Sequence, residues 1–563
     1  MRARRGDRER ETGDERVEGH GGALAVAAAR AHGIDTMFTL SGGHVFPLYD
    51  AAVDAEPPLR VVDVRHEQTA VFAAEATAKL TRRPGLAVLT AGPGVTNGIS
   101  AVATAWFNGS PMLVLGGRAP AFRWGSGALQ ELDHPPLLAP ITKRAATVHD
   151  TDRIAAEVNA ALTLANSPHR GPVFLDVPMD VLYDRAEVTL PPVEPPAPVP
   201  PDPDVVAEVA DLLARALRPV LVLGQDVWIG GAEQAARRAA ETIGLPVVAN
   251  GMGRGVLPTG HPLLAGRARA AALGDADLVL VAGAPLDFRL GYGSFGGRAG
   301  GPPARVVHLT DSAPGTGPHA HCAVTAAADL SALFDALTDA WARVGRVGMY
   351  RTWSAHVRAA AHTAAQSDAP LLGSAGRPIH PARVHGELLR VLDEDAVVIG
   401  DGGDFVSFAG KYIEPARPGG WLDAGPYGCL GTGLGYALGA RLARPSAQVV
   451  LLLGDGAAGF SLMDVDTLVR HRLPVVLIVG NNGCWALEKH PMRMLYGHDV
   501  AADLAPATRY DDVVRALGGA GETITRPERI APALRRAFAS GVPYLLNVLT
   551  DPEAIYPRAT IGV

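Results

Sequence analysis

At 563 residues the chain is too long for one small binding module and, at roughly 150 residues per domain, has room for three or four domains. Apolar residues make up 48% and charged residues 19%, which excludes a mainly disordered chain. Lys and Arg total 51 against 58 Asp and Glu, a balance of −7, so no broad basic face exists for nucleic acid and a polyanionic ligand must be held by a local pocket.

Residues 1–18 mix both charge signs without the apolar core of a signal peptide and read as a solvated tail. Residues 19–188 alternate short apolar runs with segments of helical period: RVVDV, a helix through AVFAAEATAKL, then LAVLTA, another helix, PMLVLGG and finally GPVFLDVP. That alternation predicts an α/β domain with a doubly wound parallel sheet. A Pro-rich linker comes next at 189–204, with eight prolines in residues 191–203. A second α/β unit spans 205–342, from PVLVLGQDVWIGG through DLVLVAGAPLDF to RVVHLTD. A less regular connection, 343–380, leads to a third unit, 381–550, and a tail, 551–563. No apolar run reaches the eighteen or so residues of a membrane span, and no membrane partner is expected. The odd number of scattered cysteines, Cys322, Cys429 and Cys484, suits a reducing compartment, so the cytoplasm is the expected location.

The most specific chemistry lies in the third unit. The run AQVVLLL leads straight into Gly454, Asp455 and Gly456, and LPVVLIV leads into Asn481, Asn482 and Gly483, placing an Asp and an Asn 27 residues apart at two strand ends. In a parallel sheet both fall at the carboxyl edge, where ligands bind. A carboxylate with an amide oxygen is what Mg²⁺ takes from a protein when phosphate and water fill its other positions, and neighbouring glycines let the backbone approach a diphosphate. Either tripeptide alone is an ordinary turn; the pair at this spacing is not.

This pairing, and the chain from Gly21 to Leu549, resembles the thiamine-diphosphate enzymes. The resemblance implies three doubly wound parallel-sheet domains (pyrimidine-binding, central nucleotide-binding and diphosphate-binding), with thiamine diphosphate and Mg²⁺ as cofactors. Glu67, just past the strand RVVDV, then matches the carboxylate that bonds the cofactor's aminopyrimidine and promotes ionisation of its thiazolium C2. Pro93 and Asn97 match the loop around the aminopyrimidine, and Gly402, Gly403 and Asp404 the diphosphate seat. Leu430 matches the apolar prop that bends the cofactor, and Asp455, Asn482 and Cys484 the metal set. Glu67 and Asp455 serve one cofactor from different subunits in this family, which implies a homodimer at minimum and commonly a homotetramer.

Which member it resembles is read elsewhere. The adjacent His-His pair of pyruvate decarboxylases is not found. Acetolactate synthases match through Phe107 to Gly117, Leu129-Gln130-Glu131 and Lys143, yet where they should carry an apolar lining this chain reads NNGCWALEKHPM, with Glu488 six residues beyond Asn482. SGGHVFPLYDAA, with His44, and GPVFLDVPMDVLY look most like 2-hydroxyacyl-CoA lyases, including the actinobacterial 2-hydroxyisobutyryl-CoA lyases. These release an aldehyde or ketone and formyl-CoA. On that resemblance Glu488 is the expected proton donor, and Gln130 and His44 ligands of the substrate hydroxyl or carbonyl. Gly224, Arg269 and Asp311 of the central domain are expected to hold the ADP moiety of an acyl-CoA. The leading expectation is therefore a carbon–carbon lyase. Acetolactate synthase, marked by a bound flavin, and oxalyl-CoA decarboxylase are its alternatives. A degenerate non-catalytic subunit is disfavoured by the presence of Glu67, Asp455 and Asn482.

Overall fold

Runs such as VVLLLG (Val449–Gly454) and PVLVL (Pro219–Leu223) have no polar alternation, so both their faces must be covered. In the computed structural model, which describes residues 16–313 and 321–557, they are central strands of parallel sheets.

The first sheet runs Arg60–Asp63, Thr36–Thr39, Gly85–Leu89, Met112–Arg118, Pro172–Pro178, Ala145–Thr147 across its width. The third runs Trp421–Asp423, Val397–Asp401, Val449–Gly454, Val476–Asn481, Tyr544–Leu549, Ala520–Ile524. Numbered within each domain, both have the order 2-1-3-4-6-5, so they share one topology. The central sheet has five strands in the order 2-1-3-4-5, with Pro219–Leu223 beside Val247–Ala249 and Leu278–Ala282. Every ladder in the three sheets is parallel, giving the expected three α/β domains.

In the outer domains, strand order reverses between strands 1 and 3, the position at whose carboxyl edge ligands bind in open α/β sheets. Gly402 and Gly454 meet there in the third domain: a Cβ on Gly402 would lie 3.1 Å from Gly454 N. The first and third domains pack through the helices Glu67–Thr81 and Thr432–Ala443, which approach closely because Gly435 and Gly439 face Phe72 and Ala73. Glu75 is buried at this contact, accepting from Tyr436 Oη at 2.8 Å, Asn108 Nδ2 at 2.8 Å and Ser110 Oγ at 3.0 Å.

Two expectations need correction. Residues 16–18 are not tail: Arg16–His20 pairs antiparallel with Arg185–Thr189, satisfying the backbone of both segments. Residues 1–15 and 558–563 of the expected tails lie outside the described residues. The connection at 343–380 is not irregular, since Arg351–Leu372 is one helix of 22 residues. Trp353 anchors it, buried in the central domain with its indole donating to Pro219 O at 2.9 Å. Among the described residues no helix is long and apolar enough to cross a membrane.

Candidate active site

The strands Val449–Gly454 and Val476–Asn481 are neighbours with Gly454 opposite Gly480, so the residues just beyond them are brought together. Asp455 is buried, with Oδ2 accepting from Gly483 N at 2.7 Å and Oδ1 from Gly456 N at 3.1 Å. Burial pushes its carboxyl up to about 6, against the pull of those two amides. Asn482 Oδ1 accepts from Cys484 N at 3.1 Å. The crevice between these loops is lined by Gly403, Asp404, Gly454, Asp455, Asn482 and Glu488, so the structure gathers most of the third-domain residues singled out in the sequence.

This donor set fits a divalent cation with a diphosphate. It offers a carboxylate and an amide oxygen. Two of its glycines leave no room for a side chain: a Cβ on Gly456 would strike the Trp485 ring at 2.4 Å, and one on Gly403 would strike Leu487 Cδ1 at 2.6 Å, while Gly454 opens onto free space. Cys484 needs a correction of kind. Sulfur is a soft donor that Mg²⁺ does not favour, and burial pushes this thiol up to about 11; what the residue can offer a hard cation is its backbone oxygen.

Asp401, missed in the sequence, supports the same crevice. Its buried carboxylate accepts from Gly431 N at 3.1 Å and Gly433 N at 2.8 Å, capping the helix Thr432–Ala443 and fixing the segment that carries the half-buried Leu430. Burial pushes its carboxyl up to about 7. Its signal was the Asp closing the run VVIGD.

In the first domain Glu67 is the opening residue of the helix Glu67–Thr81 and is buried. Its Oε2 accepts from Asn97 Nδ2 at 3.0 Å. Pro93 begins the helix that carries Asn97, and both are exposed on the chain's surface. His44 and Gln130 come to the same loop cluster. The His44 ring meets Thr90 Oγ1 at 3.2 Å and the backbone of Leu129, and burial lowers its pKa, so it is a neutral, engaged imidazole that steadies the Gln130 segment. Gln130 itself takes φ +60°, unusual for a residue with a side chain.

In the central domain Gly224 and Asp311 sit just beyond neighbouring parts of the sheet's carboxyl edge, whereas Arg269 starts the helix Arg269–Asp275. Neither charged group stands open. Arg269 donates to Arg289 O at 2.7 Å, and Asp311 meets His169 Nδ1 at 3.2 Å and Arg170 Nη1 at 3.7 Å. With Asp226 these make a cluster, His169, Asp226 and Asp311, whose ligand atoms lie within 4.8 Å of one another.

With this geometry in view, family comparison is decisive. Three consecutive blocks match thiamine pyrophosphate enzyme domains: the N-terminal TPP binding domain over residues 19–137, the central domain over 206–337 and the C-terminal TPP binding domain over 401–548. The chain belongs to the thiamine pyrophosphate enzymes. Among the relatives of this enzyme, a probable acetolactate synthase of Mycobacterium bovis is 49% identical over 543 residues, covering 96% of this chain and 97% of the relative. A 2-hydroxyacyl-CoA lyase 2 of Caenorhabditis elegans is 35% identical over 563 residues, covering 91% and 85%, and the Homo sapiens protein of that name is 34% identical over 591 residues, covering 94% and 90%. Both kinds of relative anticipated from the sequence are thus present, with the synthase the more similar, contrary to the order of the expectation.

Proposed function

We propose that this thiamine pyrophosphate enzyme joins two 2-oxoacids, in the simplest case two molecules of pyruvate, into acetolactate with loss of carbon dioxide. The observation that carries the reading is the 49% identity to a probable acetolactate synthase along essentially the whole chain, against 34–35% to the lyases. The engaged state of Arg269 and Asp311 supports it, because the two charged groups expected to receive an acyl-CoA already have internal partners.

Thiamine diphosphate, when bound, supplies a carbon acid whose conjugate base adds to a carbonyl and then takes up the electrons released on decarboxylation. The protein's part is to hold and to move protons. Asp455, Asn482 and the backbone at Cys484 hold Mg²⁺, and Gly402, Gly403, Gly454 and Gly456 admit the diphosphate beside Asp404. Leu430 backs the ring system. Glu67, oriented by Asn97, exchanges a proton at the aminopyrimidine nitrogen. Gln130, steadied by His44, faces the substrate carbonyl. Two copies of the chain complete each site, in a homodimer or a pair of homodimers.

A second reading, cleavage of a 2-hydroxyacyl-CoA to formyl-CoA, is favoured by one observation: Glu488 lies on the wall of the crevice that holds Asp455 and Asn482. A side-by-side assay with pyruvate and with 2-hydroxyisobutyryl-CoA, with the cofactor and Mg²⁺ present, separates the two. Acetolactate from pyruvate is expected, and formyl-CoA without acetolactate would replace the synthase by the lyase. Flavin absorbance in the purified protein would further support the synthase.

A further inference from the structure

His134 is wholly buried, and both its ring nitrogens are engaged: Nε2 lies 2.9 Å from Gly92 N and Nδ1 2.8 Å from Asp176 Oδ2. A backbone N–H can only donate, so Nε2 must carry the lone pair and the ring proton must sit on Nδ1, where it is given to the carboxylate. Asp176, on the strand Pro172–Pro178, is held in turn by Arg118 Nη1 at 2.9 Å from the adjacent strand Met112–Arg118. Arg118 also donates to Asp133 Oδ1 at 2.9 Å, beside His134 in the chain. The relay is therefore rooted in two neighbouring strands and ends on a single peptide N–H.

That peptide matters for the site. Gly92, at φ +58° and ψ −114°, is the N-cap of the helix Pro93–Phe107 and has no side chain to cap it. A Cβ there would strike Gln130 Cβ at 2.9 Å, so the same peptide sets the approach of the Gln130 segment. Asn97, on this helix, is the donor to Glu67. We infer that His134 is a positioning residue: through the Gly92 N–H it fixes the start of the helix that presents Asn97 to Glu67, and Asp176 acts by setting its tautomer. The inference rests on the reading that Glu67 works on the bound cofactor.

The test uses the full-length enzyme with thiamine diphosphate and Mg²⁺ and three variants, His134→Leu, His134→Gln and His134→Phe. Hydrogen exchange of the peptide containing Gly92 is read against that of the strand Val449–Gly454 as an internal control. His134→Leu should speed exchange at Gly92 about tenfold, the size of one lost hydrogen bond, without moving the control. It should lower kcat about 10- to 100-fold, as expected of a displaced catalytic group, with cofactor affinity unchanged. His134→Gln, whose side-chain oxygen can accept, should recover part of both. His134→Phe, which keeps a buried ring but has no atom that can accept, should behave like His134→Leu and decides the matter if that variant does not fold. Wild-type protection of Gly92 in His134→Leu or His134→Phe would overturn the inference. A protected loop is read without any turnover, so failure of the proposed reaction leaves this outcome distinguishable.

Discussion

The side-chain amide of Asn97 donates to Glu67 Oε2 across 3.0 Å, tying the early turns of one first-domain helix to the opening residue of another. Glu67 is buried, and this bond leaves the rest of its carboxylate to face a ligand. Glu67→Gln keeps the shape and removes the exchangeable proton. Turnover should fall about 10²- to 10⁴-fold, the range for a lost general acid or base. Proton exchange at the cofactor's C2 should fall with it, and exchange at the wild-type rate would reject the role.

Asp455 brings a charge into a site where burial already resists it, which is sensible only if a cation compensates. Asp455→Ala should therefore weaken Mg²⁺ and thiamine diphosphate together, by at least about 100-fold, as loss of a charged first ligand does. Titration calorimetry of cofactor at fixed Mg²⁺ reads this directly. Unchanged binding would remove Asp455 from the metal set.

The Asp455–Asn482 pair was readable in the sequence because strands covered on both faces are continuous apolar runs, and the residues at the end of such a run stand at a sheet edge. The relay through His134 was not readable, since Gly92, His134 and Asp176 are scattered along the chain and meet only across the first sheet. The helix Arg351–Leu372 escaped for a different reason. Of its residues only Trp353, Val357 and Asp368 are buried, so its apolar stripe is too thin to show a helical period. Arg269 could be read from the sequence only as a phosphate-suited fork; that one of its donors is given to the Arg289 oxygen depends on a loop contact the sequence does not encode locally.

Glu488 separates the two readings of the reaction. Joining two 2-oxoacids takes up a proton at a basic alkoxide oxygen, which water can supply, whereas release of formyl-CoA needs a proton delivered to carbon, a step that calls for a placed donor such as Glu488 on the crevice wall. Glu488→Gln should change acetolactate formation less than about threefold. In a lyase the same variant should instead slow formyl-CoA release by about 10²- to 10⁴-fold, the cost of a missing general acid, and an equal loss in acetolactate formation would show that Glu488 serves the joining reaction as well.

The contact between the first and third domains sets how the two halves of the site are presented, and it depends on absent side chains. A Cβ on Gly439 would fall 2.4 Å from Ala73 O, and one on Gly435 would fall 2.5 Å from Phe72 Cβ. Backbone cannot yield as a flexible side chain does, so Gly439→Val should destabilise the chain by about 1–3 kcal/mol through overpacking. Urea unfolding monitored by circular dichroism measures this, and an unchanged midpoint would mean that the helices do not meet as described.

His169 joins the first domain to the central one. The Asp226 carboxylate 3.7 Å away, and then the hydrogen bond to Asp311, raise its pKa to about 9 although burial opposes the charge. A histidine whose pKa rises on folding holds a proton that the unfolded chain releases near its ordinary value. Its stabilisation is complete below about pH 6.5 and is lost as pH climbs through about 9. Lys143 and Arg170 share this neighbourhood, and burial pushes Lys143 down to about 8, so it loses charge in the same window. Those groups remain in His169→Asn, so the difference between the two proteins isolates the imidazole. The side chain is 48% exposed, and water screens the pair, which limits the effect to about 1–3 °C in Tm. Burial pushes the Asp226 carboxyl up to about 7, so the pair is fully charged only above that; His169→Asn should melt earlier than wild type by that amount near pH 8, and the gap should close near pH 10, with the imidazole neutral. A gap that widens between about pH 8 and pH 10 would show that the histidine does not carry the charge assigned to it.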